Sequence, residues 1–143
     1  SLGFKFAFGQ QSGVIDLTKN PFELPRFPIN EKYGDMERFK FLINLLPFQF
    51  KEILPEEKLL LNHQNPPNVI INFFDNQKNL NNINCYSNEN NKWRKSNLSF
   101  LKENKIKILI KEKFTTERGR INCSLNDSLG WRWFGIQFVI SEN

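Results

Sequence analysis

The sequence holds one histidine, one methionine, two cysteines and seven glycines. It has no apolar run approaching the roughly 18 to 20 residues of a membrane span. Each shortage excludes something. His63 stands in a proline-rich loop with no nucleophile motif beside it, so a histidine-centred triad lacks its parts and a surface histidine is expected. Cys85 and Cys123 have no second pair to complete a zinc set, so neither metal nor cofactor is expected. No glycine-rich loop opens a helix, which leaves nucleotide chemistry without a phosphate cradle. Glu56, Glu57 and Glu112 lie scattered in charged stretches, and nothing marks two carboxylates as a working pair. The chain reads as a non-enzymatic protein.

What is abundant is phenylalanine, 15 of the 20 aromatic residues, a side chain that suits pleated, half-buried surfaces. With 39% hydrophobic and 24% charged residues in 143, the composition is that of a single globular domain, residues 1–143. Ser1 opens the chain without a basic-then-apolar leader, which reads as a cut boundary or a mature end. The net charge of +5 is spread thinly, and its densest point is Lys92-Trp93-Arg94-Lys95. Such an excess usually solvates a surface; nucleic acid and anionic glycans are the functional alternatives. Both cysteines fall in apparent strands, where two buried free thiols are expected, with one disulfide as the alternative in a secreted protein. Sequons at Asn97, Asn122 and Asn126 carry little weight among some twenty asparagines.

Periodicity supplies the fold. Val69-Ile70-Ile71-Asn72-Phe73-Phe74, Ile83-Asn84-Cys85-Tyr86-Ser87, Leu98-Ser99-Phe100-Leu101 and the alternating Lys105-Ile106-Lys107-Ile108-Leu109-Ile110-Lys111 predict four short strands. Strands are also expected at Phe4–Phe8, 14–17, 38–46 and 58–61, with a short helical turn at 50–54 and an extended edge over the proline-rich 21–37. Arg120 to Leu125 alternates, 126–130 turns, and Trp131 to Ile140 is apolar on both faces, as in the middle of a sandwich or an interface. The class is all-β: an antiparallel β-sandwich with no helix longer than about two turns.

Of the three tryptophans, Trp131 and Trp133 alternate within an apolar strand and read as core or interface residues, with Arg132 placed for a cation–π contact. Trp93 follows the polar run Asn88-Glu89-Asn90-Asn91-Lys92, where no period dictates burial. It is either a loop anchor or an exposed plate for a sugar face or a base.

Residues 38–111 resemble the galectin family. Arg38-Phe39-Lys40-Phe41-Leu42-Ile43-Asn44-Leu45 is similar to its rF-INL strand, and Ile71 to Gln77 falls where galectins carry L-H-F-N-P-R-F. Ile83 to Ser87, with Trp93 following, matches I-V-C-N-S and the stacking tryptophan; Ser99-Phe100 resembles the P-F before an alternating strand. The resemblance implies a jelly-roll sandwich binding a glycan in a groove on one sheet. It also implies a changed site: Asn72, Phe74 and Asn76 stand where the family has histidine, asparagine and arginine, and Tyr86 replaces its second asparagine. Ser96 and Leu98 occupy the places of the glutamate and arginine after the tryptophan. Losing convergent polar groups loses discrimination, so ordinary galactoside selectivity is not expected.

The resulting expectation is a divergent lectin module with Trp93 as platform, Asn72, Asn76 and Tyr86 as polar contacts from adjacent strands, and Arg94 or Lys95 favouring an anionic sugar. The alternatives are a subunit docking a protein partner through 131–140, and an OB-type barrel binding nucleic acid.

Overall fold

The structure, a computed structural model, describes residues 3–141. Within them the chain forms one helix, α1 (Met36–Ile43), and nine strands numbered in chain order. Strands β1 (Phe50–Leu54), β3 (Val69–Phe73), β7 (Lys105–Leu109) and β6 (Asn97–Leu101) make a four-stranded sheet in that spatial order. Strands β2 (Leu59–Leu60), β9 (Gly130–Ile140), β8 (Arg118–Asp127), β4 (Asn84–Glu89) and β5 (Lys92–Lys95) make a five-stranded one. All pairings are antiparallel except β2 with β9. The protein is thus mostly β, with two sheets facing each other across a shared core, and the strands divide between sheets instead of closing one barrel.

Period-two burial builds that core. In β3, Val69, Ile71 and Phe73 point inward; in β7, Ile106 and Ile108; in β8, Ile121, Cys123 and Leu125; in β9, Phe134, Ile136 and Phe138. The other parity of β9 (Trp131, Trp133, Gly135, Gln137) forms the outer side of the five-stranded sheet. Part of that side is covered by the amino-terminal arm. Gly135 accepts this cover because a Cβ there would lie 2.4 Å from the Ser12 carbonyl oxygen. Phe27 meets Trp133 edge-on at 6.2 Å, and Phe41 meets Trp131 at 6.1 Å.

Several expectations from the sequence are corrected. Residues 38–46 do not form a strand. Phe39, Phe41 and Ile43 fit a period of two, but Arg38, Leu42 and Leu45 are the more buried positions, at helical spacing. Asp35 caps the helix, its carboxylate accepting from the Arg38 N–H at 2.9 Å, and Glu37 and Lys40 suit the two ends of the dipole. Residues 50–54 form β1, antiparallel to β3 with a bulge near Lys51, and not a helical turn. Phe4–Phe8 and 14–17 gain no sheet partner beyond a bridge from Phe8 to Leu24, so neither is a strand. The proline-rich 21–35 crosses the sheet as irregular backbone instead of adding an edge.

The expected free thiols are corrected too. Cys85 and Cys123 are direct cross-strand partners on the inner parity of β4 and β8, with Cα atoms 4.1 Å apart, and they form a disulfide. Arg132 has inner parity as well, so it makes no cation–π contact with the flanking tryptophans. Its guanidinium donates to Asp127 Oδ2 and to the Pro47 carbonyl, each at 2.6 Å, fastening the β8–β9 hairpin to the chain entering β1. Burial pushes the Asp127 carboxyl up, but hydrogen bonds from Arg132 and the Leu129 and Gly130 amides, with the Arg132 charge, hold it below its ordinary value. A carboxylate lowered on folding stabilises the fold above its unfolded pKa and ceases to as pH falls through the folded one. Melting temperature should therefore drop as pH falls below about 4, and Asp127→Asn should remove part of that drop. A melting profile with the same acid slope in the variant would contradict this assignment.

Candidate functional site

On β4 the inner parity is Cys85, Ser87 and Glu89, so Asn84, Tyr86 and Asn88 face outward. Two outward rows follow from the register. Lys95 of β5 opposes Tyr86, which opposes Asn122 of β8, which opposes Gly135 of β9. In the next row Trp93 opposes Asn88, while Arg120 opposes Gln137. Trp93 and Tyr86 are therefore diagonal neighbours across the β4–β5 pair, within reach of one another's rings.

The hairpin that presents Trp93 is set by its turn. Asn90 and Asn91 both have positive φ, 47° and 56°, as a two-residue turn of the primed type requires, and asparagine tolerates that region. The polar run read as a loop is thus the end of β4, a tight turn and the start of β5. Trp93 is 49% exposed and Tyr86 44%, and among the described residues neither takes part in a ring contact or a side-chain hydrogen bond. Trp131 and Trp133, by contrast, each carry a phenylalanine from the arm or from α1.

A buried polar clip holds the rim of this face. Ser87 Oγ lies 2.9 Å from Ser96 Oγ and 2.6 Å from Glu89 Oε1, and Glu89 Oε2 accepts the Lys111 and Glu112 amides at 3.0 and 2.8 Å. Ser96 marks where the chain leaves β5 for β6 in the other sheet, so the clip pins that crossing to the β7–β8 connection. Asn65 adds a second clasp, donating to the Phe114 carbonyl at 2.8 Å and accepting its N–H at 3.0 Å. The Asn90 N–H donates to the Lys113 carbonyl at 3.0 Å, joining the turn to the same connection.

Beyond Asn88 the face runs into a groove of about 1060 Å³, lined among others by Asn88, Asn91, Lys113, Glu117, Arg118 and Arg120. Arg118 donates to Gln10 of the arm. Arg120 and Lys113 have no side-chain hydrogen-bond or ion-pair partner among the described residues. Asn88 Oδ1, in this groove, is buried without a donor among the described residues.

A second groove, about 780 Å³, lies between the arm and β1 and β9. Its cations are engaged: Lys19 Nζ donates to the Phe50 carbonyl, and Lys58 Nζ to the Pro55 and Glu56 carbonyls. Burial pushes the Lys58 ammonium down, against the pull of Glu23, Glu56 and Glu57.

The structure thus brings Trp93, Tyr86 and Lys95 to one face and leaves out the other three residues singled out from the sequence. Asn72 lies on β3 in the four-stranded sheet, where its Nδ2 donates to Glu52 Oε1 at 3.2 Å, and Asn76 sits in the exposed turn after that strand. They are not on strands adjacent to Trp93. Arg94 projects from the opposite side of β5 and pairs with Glu112. Asn88, Asn122, Arg120 and Lys113 were not singled out, though the polar parity of Arg120, Asn122 and Ser124 was legible. His63 is exposed, in a 3₁₀ turn. Among the described residues no helix is long and apolar enough to cross a membrane. No protein-family model, curated protein or solved structure matches the chain.

Proposed function

We propose that the domain is a non-enzymatic glycan-binding module whose combining site is the outer face of β4, β5 and β8. The observation that carries this reading is the pair Trp93 and Tyr86: two half-exposed rings, diagonal on one face, with no ring contact or side-chain hydrogen bond among the described residues. A pyranose ring laid on such a plate hides its C–H face, and its hydroxyls meet Asn88, Asn122 and Lys95 around the rim. The cross-strand disulfide supports an oxidising compartment, where extracellular glycans are met. On this reading the galectin likeness lies in a jelly-roll sandwich and its tryptophan-bearing hairpin. The galactoside-binding set is replaced, so lactose should not compete for the site.

Trp93→Ala should weaken binding to a glycan found by array screening about tenfold, roughly 1.4 kcal/mol, with the melting temperature little changed. An array without a positive glycan, or a variant that binds as the parent does, would remove the reading.

One observation favours a protein-docking role as the second reading. Phe4, Phe6, Phe8, Leu17, Met36 and Ile43 of the arm and α1 are all more than half exposed. This relocates the docking surface expected at 131–140, because β9 lies inside its sheet and the arm covers part of its outer side. Native mass and partner capture with Phe6→Ser and Leu17→Ser variants test it; capture unaffected by either substitution would set it aside.

A further inference from the structure

Resting on the glycan-binding reading, we propose that the sugar bound is acidic: one ring stacks on Trp93, and a linked ring places a carboxylate against Arg120 and Lys113 in the adjoining groove.

The groove and the aromatic plate are one surface. Asn88 belongs to both, since it opposes Trp93 and lines the groove beside Arg120. The hydrogen bond from the Asn90 amide to the Lys113 carbonyl fixes the turn against the groove wall. Strands lie about 4.8 Å apart, so β5 and β8, separated by β4, are roughly 10 Å apart. That separation suits two linked pyranose units and is too long for one.

The charge balance decides the class of ligand. Lys113, Arg118 and Arg120 line the groove against a single carboxylate, Glu117, and no ion pair joins any of them among the described residues. The other nearby carboxylates are engaged: Glu89 by Ser87 and two backbone amides, Glu112 by Arg94. On the opposite sheet Lys51 and Lys105 are paired with Asp75 and Glu103, while Lys107 of β7 has no ion pair among the described residues. Other surface cations, Lys102 and Lys107 among them, also lack an ion pair there, and what sets this groove apart is three cations gathered in one cleft against a single carboxylate. A guanidinium presents two parallel N–H donors that match a planar carboxylate, which favours a uronate over a sulfate ester.

The test is calorimetric titration of the 143-residue chain with tetragalacturonate, its methyl ester, a chondroitin sulfate tetrasaccharide and a single-stranded DNA oligomer. The tetragalacturonate is expected to bind at least about tenfold more tightly than its ester, and Arg120→Gln to abolish that margin. Lys105→Gln, on the other sheet, should change nothing. If the ester binds as well as the acid, or Arg120→Gln leaves the margin intact, the acidic assignment is wrong while binding that still depends on Trp93 keeps the lectin reading. Chondroitin sulfate binding more tightly than tetragalacturonate overturns the choice of carboxylate. DNA binding that displaces tetragalacturonate and survives Trp93→Ala overturns sugar recognition in favour of a general polyanion site. If neither oligogalacturonate binds and an array also shows no glycan, both readings fall together.

Discussion

Phe48→Ala is expected to destabilise the domain by about 4 kcal/mol, within the range typical of a phenylalanine removed from a packed core. Phe48 lies between β9 and β3 just before β1, and it is 1% exposed. Its ring meets Phe134 edge-on at 4.8 Å and Phe73 at 6.0 Å, and Phe50 approaches Phe134 at 5.5 Å. Phe73 belongs to the four-stranded sheet and Phe134 to the five-stranded one, so this ring is a direct link between the layers. Alanine leaves a cavity that two rigid sheets cannot close by a small shift. The backbone on either side is also tied down, since the Leu46 amide and carbonyl bond to Trp131 and Trp133 and the Pro47 carbonyl accepts from Arg132. In urea the midpoint should fall with the slope unchanged, and the melting temperature should drop by about 10 to 15 °C. A loss below about 1 kcal/mol would mean that the two layers are not joined through this ring.

The second large effect is expected from the disulfide. Replacing Cys85 and Cys123 together by alanine should cost about 2 to 4 kcal/mol, because the crosslink closes a 38-residue separation and restricts the unfolded chain. The two residues are already opposed by the β4–β8 register, so removing the bond should not change which residues face outward. Tyr86, between Cys85 and Ser87, should keep its place, and glycan binding measured well below the melting temperature should survive. Equal urea midpoints for the parent and the double variant would show that the bond adds no stability. Loss of binding in a variant that remains folded would show that the register depends on it.

How far the sequence discloses this molecule depends on whether the information is local. Alternation is local, and it locates β3, β4, β7, β8 and β9 to within a few residues. The run at 38–46 puts Phe39, Phe41, Ile43 and Leu45 at alternate positions and Arg38, Leu42 and Leu45 at helical spacing, so both periods fit it. Asp35 before Met36 was the signal that favours the helix. The arm failed for another reason: Phe4-Lys5-Phe6-Ala7-Phe8 has strand composition, but a strand needs a neighbour, and periodicity does not say whether one exists. The same lack of pairing information misplaced half of the site. Trp93, Tyr86 and Lys95 lie close in sequence on one hairpin, and the structure presents them together. Asn72 looks near to them because β3 precedes β4, yet β3 and β4 enter different sheets. Arg120 and Asn122 are more than thirty positions from Tyr86 and become its neighbours only through the β4–β8 register.

The measurement closest to the central claim is a two-dimensional amide and indole NMR titration of the domain with tetragalacturonate, or with a glycan found by array. The outer-face reading predicts that the Trp93 indole N–H shifts most, with Tyr86, Asn88, Lys95 and Asn122 amides following. For an acidic ligand, Arg120 and Lys113 should join them. Asn72 on the other sheet, Asn76 in the turn after it, and Trp133 beneath the arm should stay in place. Shifts gathered around Asn72 and Lys105, with the Trp93 indole unmoved, would contradict the account.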